Sequence, residues 1–233
     1  MNYAIFSENT KMADVILTNS RLLYVLHYFE INLGFGEKTV KQVCNEKNIS
    51  APLLLLICNI YTFDDYFPDS RDLKQIPVEG IIKYLQNSHK YYLKVRMPQI
   101  IENILNLANI CHLKNRNILT SFCDKYKQEV IAHFKYEEEV AFPYIIELLN
   151  GRKTDNYKIK EYESNHSDID TALNDLKNII IKYLPPECTI VKCREILLSL
   201  FMFEFDLSKH TLLEDKILIL LVEHIERNTN ETT

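Results

Sequence analysis

Two His-x3-Glu pairs constrain this chain more than any other feature. His133 and Glu137 lie in Ala132-His133-Phe134-Lys135-Tyr136-Glu137-Glu138-Glu139, and His210 and Glu214 lie in Lys209-His210-Thr211-Leu212-Leu213-Glu214. Four residues is about one turn of α-helix, so the two side chains of each pair project from nearly the same side. Both pairs interrupt an apolar stripe. Over 119–149, Phe122, Tyr126, Val130, His133, Glu137, Val140 and Tyr144 fall near one line; over 196–221, so do Leu200, Phe203, Leu207, His210, Glu214 and Leu221. Burying an uncompensated carboxylate costs several kcal/mol, and metal coordination is one remedy. A Glu–His or Glu–Lys pair facing water is another. Composition makes two such pairs only mildly unusual, so their placement carries the argument.

Two more histidines stand at matching offsets. His89 precedes His133 by 44 residues, and His166 precedes His210 by 44. Four helices that each turn one His inward, two of them adding a Glu, would build an N4O2 pocket for two metal ions. Imidazole with carboxylate suits iron, manganese or zinc. The shared interval reflects similar helix lengths rather than a sequence repeat.

The rest of the chain supports long helices. Glycine (4) and proline (7) are scarce in 233 residues, while 47% are hydrophobic and 25% charged, enough to close a sizeable core. One helix is expected over 9–32, ended by Gly34-Phe35-Gly36. Thr39 is placed to cap a short helix through Lys47, and Ser50 to cap another over about 52–62. Two short helices around a tight turn resemble a DNA-reading pair, but Pro52-Leu-Leu-Leu-Leu-Ile-Cys-Asn-Ile-Tyr is greasy rather than basic, so a small packing domain is the better reading. The polar stretch 63–77, with Pro68 and Pro77, reads as a linker.

Four long helical patterns follow, over about 78–110, 115–149, 155–183 and 189–228. Pro98 predicts a kink in the first, and Pro143 lies in the last third of the second. The connections are short, so consecutive helices should run antiparallel. The expected fold is all-α: a small helical domain (1–62), a linker (63–77), an up-down-up-down four-helix bundle (78–228) and a tail (229–233).

At the four histidines the chain resembles a known family. Asn87-Ser88-His89-Lys90-Tyr91-Tyr92-Leu93 with Arg96-Met97-Pro98, His133 to Glu139 with Phe142-Pro143, Glu163-Ser164-Asn165-His166-Ser167-Asp168, and His210 to Asp215 look like the ligand motifs of hemerythrin-like proteins. They look most like the repair-of-iron-centres branch, the iron–sulfur cluster repair di-iron proteins. The resemblance covers about 78–225 in order and spacing. It implies a pair of iron ions with an oxo or hydroxo bridge, His89, His133, His166 and His210 as terminal ligands, and Glu137 and Glu214 as bridges. Residues 9–60 resemble that branch's N-terminal domain, with one departure. Where the family carries Cys-Cys-Gly-Gly, this chain has Leu33-Gly34-Phe35-Gly36, so any chemistry of paired thiols is absent at that turn.

Other polar residues have plainer readings. His112 is expected at the surface or at a helix end, and His27 and His224 in packing or solvent. Glu138 and Glu139 are expected to face water, although a one-residue change of register would exchange Glu138 for Glu137. Asp170 is expected at the surface rather than as a hydrogen-bond acceptor for His166. Tyr91, Tyr92, Tyr136 and Tyr144 are expected to pack, with bonding to a metal-bound oxygen or electron relay as the alternative.

Oxygen-carrying hemerythrins use five histidines and this set supplies four. Fewer protein ligands leave more open positions, which suits activation, sensing or metal release. The resemblance implies repair of clusters damaged by nitric oxide or peroxide, with damaged iron–sulfur proteins, nitric oxide or dioxygen as partners. A sensor of oxygen, nitric oxide or redox state and a metal-free interaction bundle are the alternatives. A net charge of -5 gives no basis for capture of nucleic acid or an anionic membrane, and a homodimer through exposed helix faces is compatible with the pattern. No spanning helix and no leader are expected, and the six cysteines form no CxxC pair, so reduced, buried thiols in the cytoplasm are expected.

Overall fold

The structure, a computed structural model, describes residues 6–110, 116–152, 159–160, 162, 169–183 and 190–231. Among them the chain is all-α apart from an isolated antiparallel bridge between Lys11 and Thr39. No helix among the described residues is long and apolar enough to cross a membrane.

The N-terminal helices are α1 (Met12–Thr18), α2 (Leu22–Tyr28), α3 (Val40–Lys47) and α4 (Ala51–Thr62). The single helix expected over 9–32 is thus two. Asn19 breaks it: its backbone is extended (φ -147°, ψ 104°), and its amide donates to the Tyr61 carbonyl at 2.9 Å and the Thr62 hydroxyl at 3.2 Å. Asparagine offers such bonds in competition with a helical backbone. Thr39 forms a reciprocal capping box with Gln42, and Ser50 accepts the Leu53 amide at 3.4 Å. Leu53, Leu54, Leu56, Ile57, Ile60 and Tyr61 are buried, so α4 is a packing helix with no face left to read a DNA groove.

The polar stretch after α4 contains one helical turn, α5 (Ser70–Leu73). Asp69 caps it by accepting the Arg71 and Asp72 amides at 2.8 and 2.9 Å, bonds that hold its carboxyl below the usual range.

Four long passes follow. The first is α6 (Val78–Tyr91), a π turn (π1, Tyr92–Arg96) and α7 (Met97–Ile110). The second is α8 (Arg116–Tyr136), π2 (Glu137–Ala141) and α9 (Phe142–Leu149). The third is α10 (Ile169–Tyr183). The fourth is α11 (Ile190–Leu213), π3 (Glu214–Leu218) and α12 (Ile219–Glu231).

The chain divides into two compact units, Met1–Ser88 with Lys209–Thr233, and His89–Ser208; α6 and α11 each run unbroken through the division. In the first unit the N-terminal helices pack on the start of α6. A Cβ on Gly80 would stand 2.7 Å from Leu53 Cδ2, so glycine is what lets α6 lie so near α4. Tyr84 donates to the Tyr61 hydroxyl at 3.1 Å, and Asn87 donates to the Tyr28 carbonyl at 2.9 Å. Lys209, mostly buried, reaches Asp64 at 3.1 Å.

In the second unit the passes close a ring. α7 packs on α8, and α8 on α10. Lys177 of α10 pairs with Glu204 of α11. The ring closes from α11 to π1, where Tyr92 meets Phe203 edge-on at 5.4 Å and Arg96 donates to the Ser199 carbonyl at 2.9 Å. The core of this ring is Ile100, Ile104, Cys123, Val130, Leu173, Leu176, Leu200 and Phe203 among others. It is the expected helical bundle.

Cys44, Cys58 and Cys123 are buried and free, and Cys193 is half-buried. Cys111 and Cys188 lie outside the described residues. Burial pushes the Cys44 and Cys123 thiols up to about 11 and Cys58 further. A thiol at about 11 is roughly 0.1% thiolate at pH 8, so native iodoacetamide labelling followed by peptide mass spectrometry should modify Cys193 well before Cys44, Cys58 or Cys123. Equal labelling would contradict this packing.

Candidate metal centre

A straight α-helix cannot keep a long apolar face aimed at one target indefinitely, and among the described residues three of the four passes change register with a π turn. In each, a backbone N–H reaches back five residues: Met97 to Tyr92, Phe142 to Glu137 and Ile219 to Glu214. Such turns are rare and gather at functional sites. Pro98 and Pro143 each stand two residues after a π turn. Proline has no N–H and crowds the carbonyl four residues back, which loosens the preceding turn. The kink expected at Pro98 therefore takes the form of a π turn. The third turn has Leu220 at that place, so proline is not required. Two of the three begin at Glu137 and Glu214, the acids of the His-x3-Glu pairs.

In the His89–Ser208 unit, Glu137 is fully buried and both of its oxygens meet a histidine. His89 Nε2 stands 3.1 Å from Oε2, and His133 Nε2 stands 3.1 Å from Oε1. The Tyr162 hydroxyl donates to Oε1 at 2.9 Å. His89 is held in plane and out of plane. Its Nδ1 is 3.0 Å from Glu138 Oε1, and its ring lies near-parallel to Phe134 at 4.1 Å and Phe142 at 5.8 Å.

In the other unit, His210 Nε2 stands 3.0 Å from Glu214 Oε1, with both residues buried. His210 Nδ1 is 2.9 Å from the Ser88 hydroxyl, which itself donates to the Leu85 carbonyl at 2.7 Å.

Five of the six residues expected as ligands are thus described and buried: His89, His133, Glu137, His210 and Glu214. Each His-x3-Glu pair comes together within its helix as the spacing predicts. His166 lies outside the described residues, as do His112 and the side chain of Asp170. His27 and His224 are exposed. Glu138 departs from expectation: it is half-buried and faces His89 instead of water. Val140, expected on the stripe, is 39% exposed, because the π turn carries the face on to Ala141 and Phe142. Tyr92 and Tyr144 are buried packing residues. Tyr162 stands in none of the motifs, and the motifs contain Ser88, Phe134 and Phe142 without revealing their contacts with the histidines. A hydroxyl or aromatic next to a motif residue is the only signal they leave.

This donor set fits a cation. His89, His133 and His210 each present Nε2 to a carboxylate oxygen. Two donors bound at right angles to one ion, each at about 2.1 Å, stand about 3.0 Å apart, which is the spacing these pairs hold. The same distance serves a hydrogen bond, so the site is formed either way. His89, Glu137, His210 and Glu214 each offer a buried atom that a metal could take.

Comparison with known proteins agrees. Residues 81–227 match the hemerythrin HHE cation-binding domain. The chain is 21% identical over 188 residues to the iron-sulfur cluster repair protein ScdA of Staphylococcus haemolyticus, covering 78% of this chain and 83% of that protein. It is 25% identical over 150 residues to the ScdA protein of Staphylococcus epidermidis, covering 62% and 66%. It is 19% identical over 210 residues to the iron-sulfur cluster repair protein YtfE of Edwardsiella ictaluri, covering 89% and 93%. The resemblance read from the four motifs is met by these relatives, at low identity. The domain match spans more than half of the chain and includes every residue expected as a ligand, and the chain belongs to the hemerythrin HHE cation-binding domain family.

Proposed function

We propose that this chain is a non-haem di-iron protein that repairs iron–sulfur clusters damaged under nitrosative or oxidative stress. One observation carries the metal part: Glu137 is 0% exposed and offers one oxygen to His89 Nε2 and the other to His133 Nε2. A bridging carboxylate needs this arrangement, in which each oxygen serves a different ion and each ion has its own imidazole. In this reading Glu214 is the second bridge, His210 a third terminal ligand and His166 the fourth.

Once bound, iron would supply open coordination positions and one-electron chemistry. The protein's part is to hold the donors in a buried site, with Tyr162 fixing one oxygen of Glu137 and aromatic rings excluding water around His89. The repair role is supported by the relatives, which are named as iron-sulfur cluster repair proteins. Damaged iron–sulfur proteins and diatomic ligands are the partners this reading implies, in the cytoplasm.

A sensor acting through a partner is the second reading. It is favoured by the turn Leu33-Gly34-Phe35-Gly36, which keeps positive φ at Gly34 (100°) and Gly36 (56°) but carries no thiol. Repair that relies on paired thiols has no counterpart there.

Protein purified without chelator after growth with added iron should hold about two irons per chain by elemental analysis. His133→Ala and His210→Ala should each lower that content by half or more. Full iron in both variants would contradict the ligand assignment. The loaded protein should also restore activity to a nitric-oxide-damaged [4Fe–4S] enzyme; failure with full iron would turn the reading towards sensing. Separately, Tyr162→Phe should cost the metal-free protein about 1.5–3 kcal/mol in denaturant unfolding, because a buried bond to a carboxylate is lost. An unchanged midpoint would contradict that bond.

A further inference from the structure

Each metal-facing histidine has a second nitrogen, and for His89 and His210 the structure shows what it meets. We infer that Glu138 and Ser88 are positioning residues that fix the Nδ1–H form of these two rings and so reserve Nε2 for the metal. This rests on the di-iron reading above.

For His210 the proton can be placed by counting. The Ser88 hydroxyl has one proton, and it goes to the Leu85 carbonyl at 2.7 Å. At 2.9 Å from His210 Nδ1, Ser88 therefore accepts, and the imidazole carries its proton on Nδ1. Nε2, facing Glu214 at 3.0 Å, is left for a cation.

For His89 the partner is a carboxyl group. In its carboxylate form Glu138 can only accept, so the contact from Nδ1 to Glu138 Oε1 at 3.0 Å then places a proton on Nδ1. Glu138 is not positioned as a direct ligand here, because it lies on the Nδ1 side while the buried Glu137 occupies the Nε2 side at 3.1 Å. The arrangement needs the π turn. A wider turn advances fewer degrees per residue, so consecutive acids can address two edges of one ring. Phe134 and Phe142 keep that ring from rotating out of the plane.

The two supports differ in kind. A carboxylate behind an imidazole raises its basicity as a ligand, whereas a hydroxyl mainly orients it. The charged support therefore acts on affinity and on redox potential, and the neutral one chiefly on affinity.

The test is anaerobic titration of metal-free full-length protein with iron(II) alone, with elemental analysis and a reduction potential for each loaded form. Glu138→Ala should weaken iron binding about 10–100-fold and raise the potential. Glu138→Gln, whose amide oxygen still accepts from Nδ1, should recover most of the affinity but keep the raised potential. Ser88→Ala should weaken binding about 10-fold with little change in potential. Far-UV circular dichroism of the metal-free variants checks folding, and the Gln variant carries the test if the Ala variant does not fold. Wild-type affinity and potential in Glu138→Ala, with about two irons bound, would overturn this inference alone. Equal loss of affinity in the Gln and Ala variants would overturn the acceptor role. A wild-type protein that takes up no iron would overturn the di-iron reading and this inference with it.

Discussion

A carboxylate with no water around it is the constraint on which the rest of the structure turns. Glu137 and Glu214 are fully buried on passes whose inward faces are otherwise largely apolar. Left alone, each would neutralise or pull the bundle apart. Each instead has an imidazole one turn earlier on its own helix, and Glu137 has His89 and the Tyr162 hydroxyl as well. Each pairing sets an acid beside a nitrogen donor at a spacing a cation can enter. It is costly as a core and useful as a site, which is the usual sign that polar burial is retained for chemistry.

The π turns show how a helical bundle accommodates this. A regular α-helix bearing His133 and Glu137 would carry its face on to Val140. The inserted width instead carries it to Ala141 and Phe142 and leaves Val140 outward. Glu138 is thereby kept near enough to His89 to hold its far nitrogen. The same device recurs at Glu214 and, three residues after His89, at Tyr92. Register change and the placement of the buried acids are thus one local feature of the backbone.

Much of this was legible in the residues. The His-x3-Glu spacing is a property of one helical turn, so the two pairs could be read without a fold. Thr39, Ser50 and the greasy run from Leu53 announced α3 and α4 in the same local way. What could not be read depends on contacts between distant segments. The break at Asn19 exists because Tyr61 and Thr62 offer it bonds. On a straight helix Glu138, like Glu139, would face solvent. Pro98 and Pro143 hinted at irregularity, but the π turn at Glu214 has no proline to announce it. Tyr162 stands outside every motif, and only the fold brings it to Glu137. The thiol pair of the repair branch is absent from the sequence itself, and Gly34 and Gly36 keep the turn without it.

The central proposal is that Glu137 would hold two ions, one on each oxygen. Anomalous diffraction at the iron edge from crystals of the iron-loaded protein tests it most directly. The account predicts two peaks, one bonded to Glu137 Oε2 and His89 Nε2 and the other to Glu137 Oε1 and His133 Nε2. A single peak, or iron bound elsewhere with Glu137 still paired only to its histidines, would contradict it.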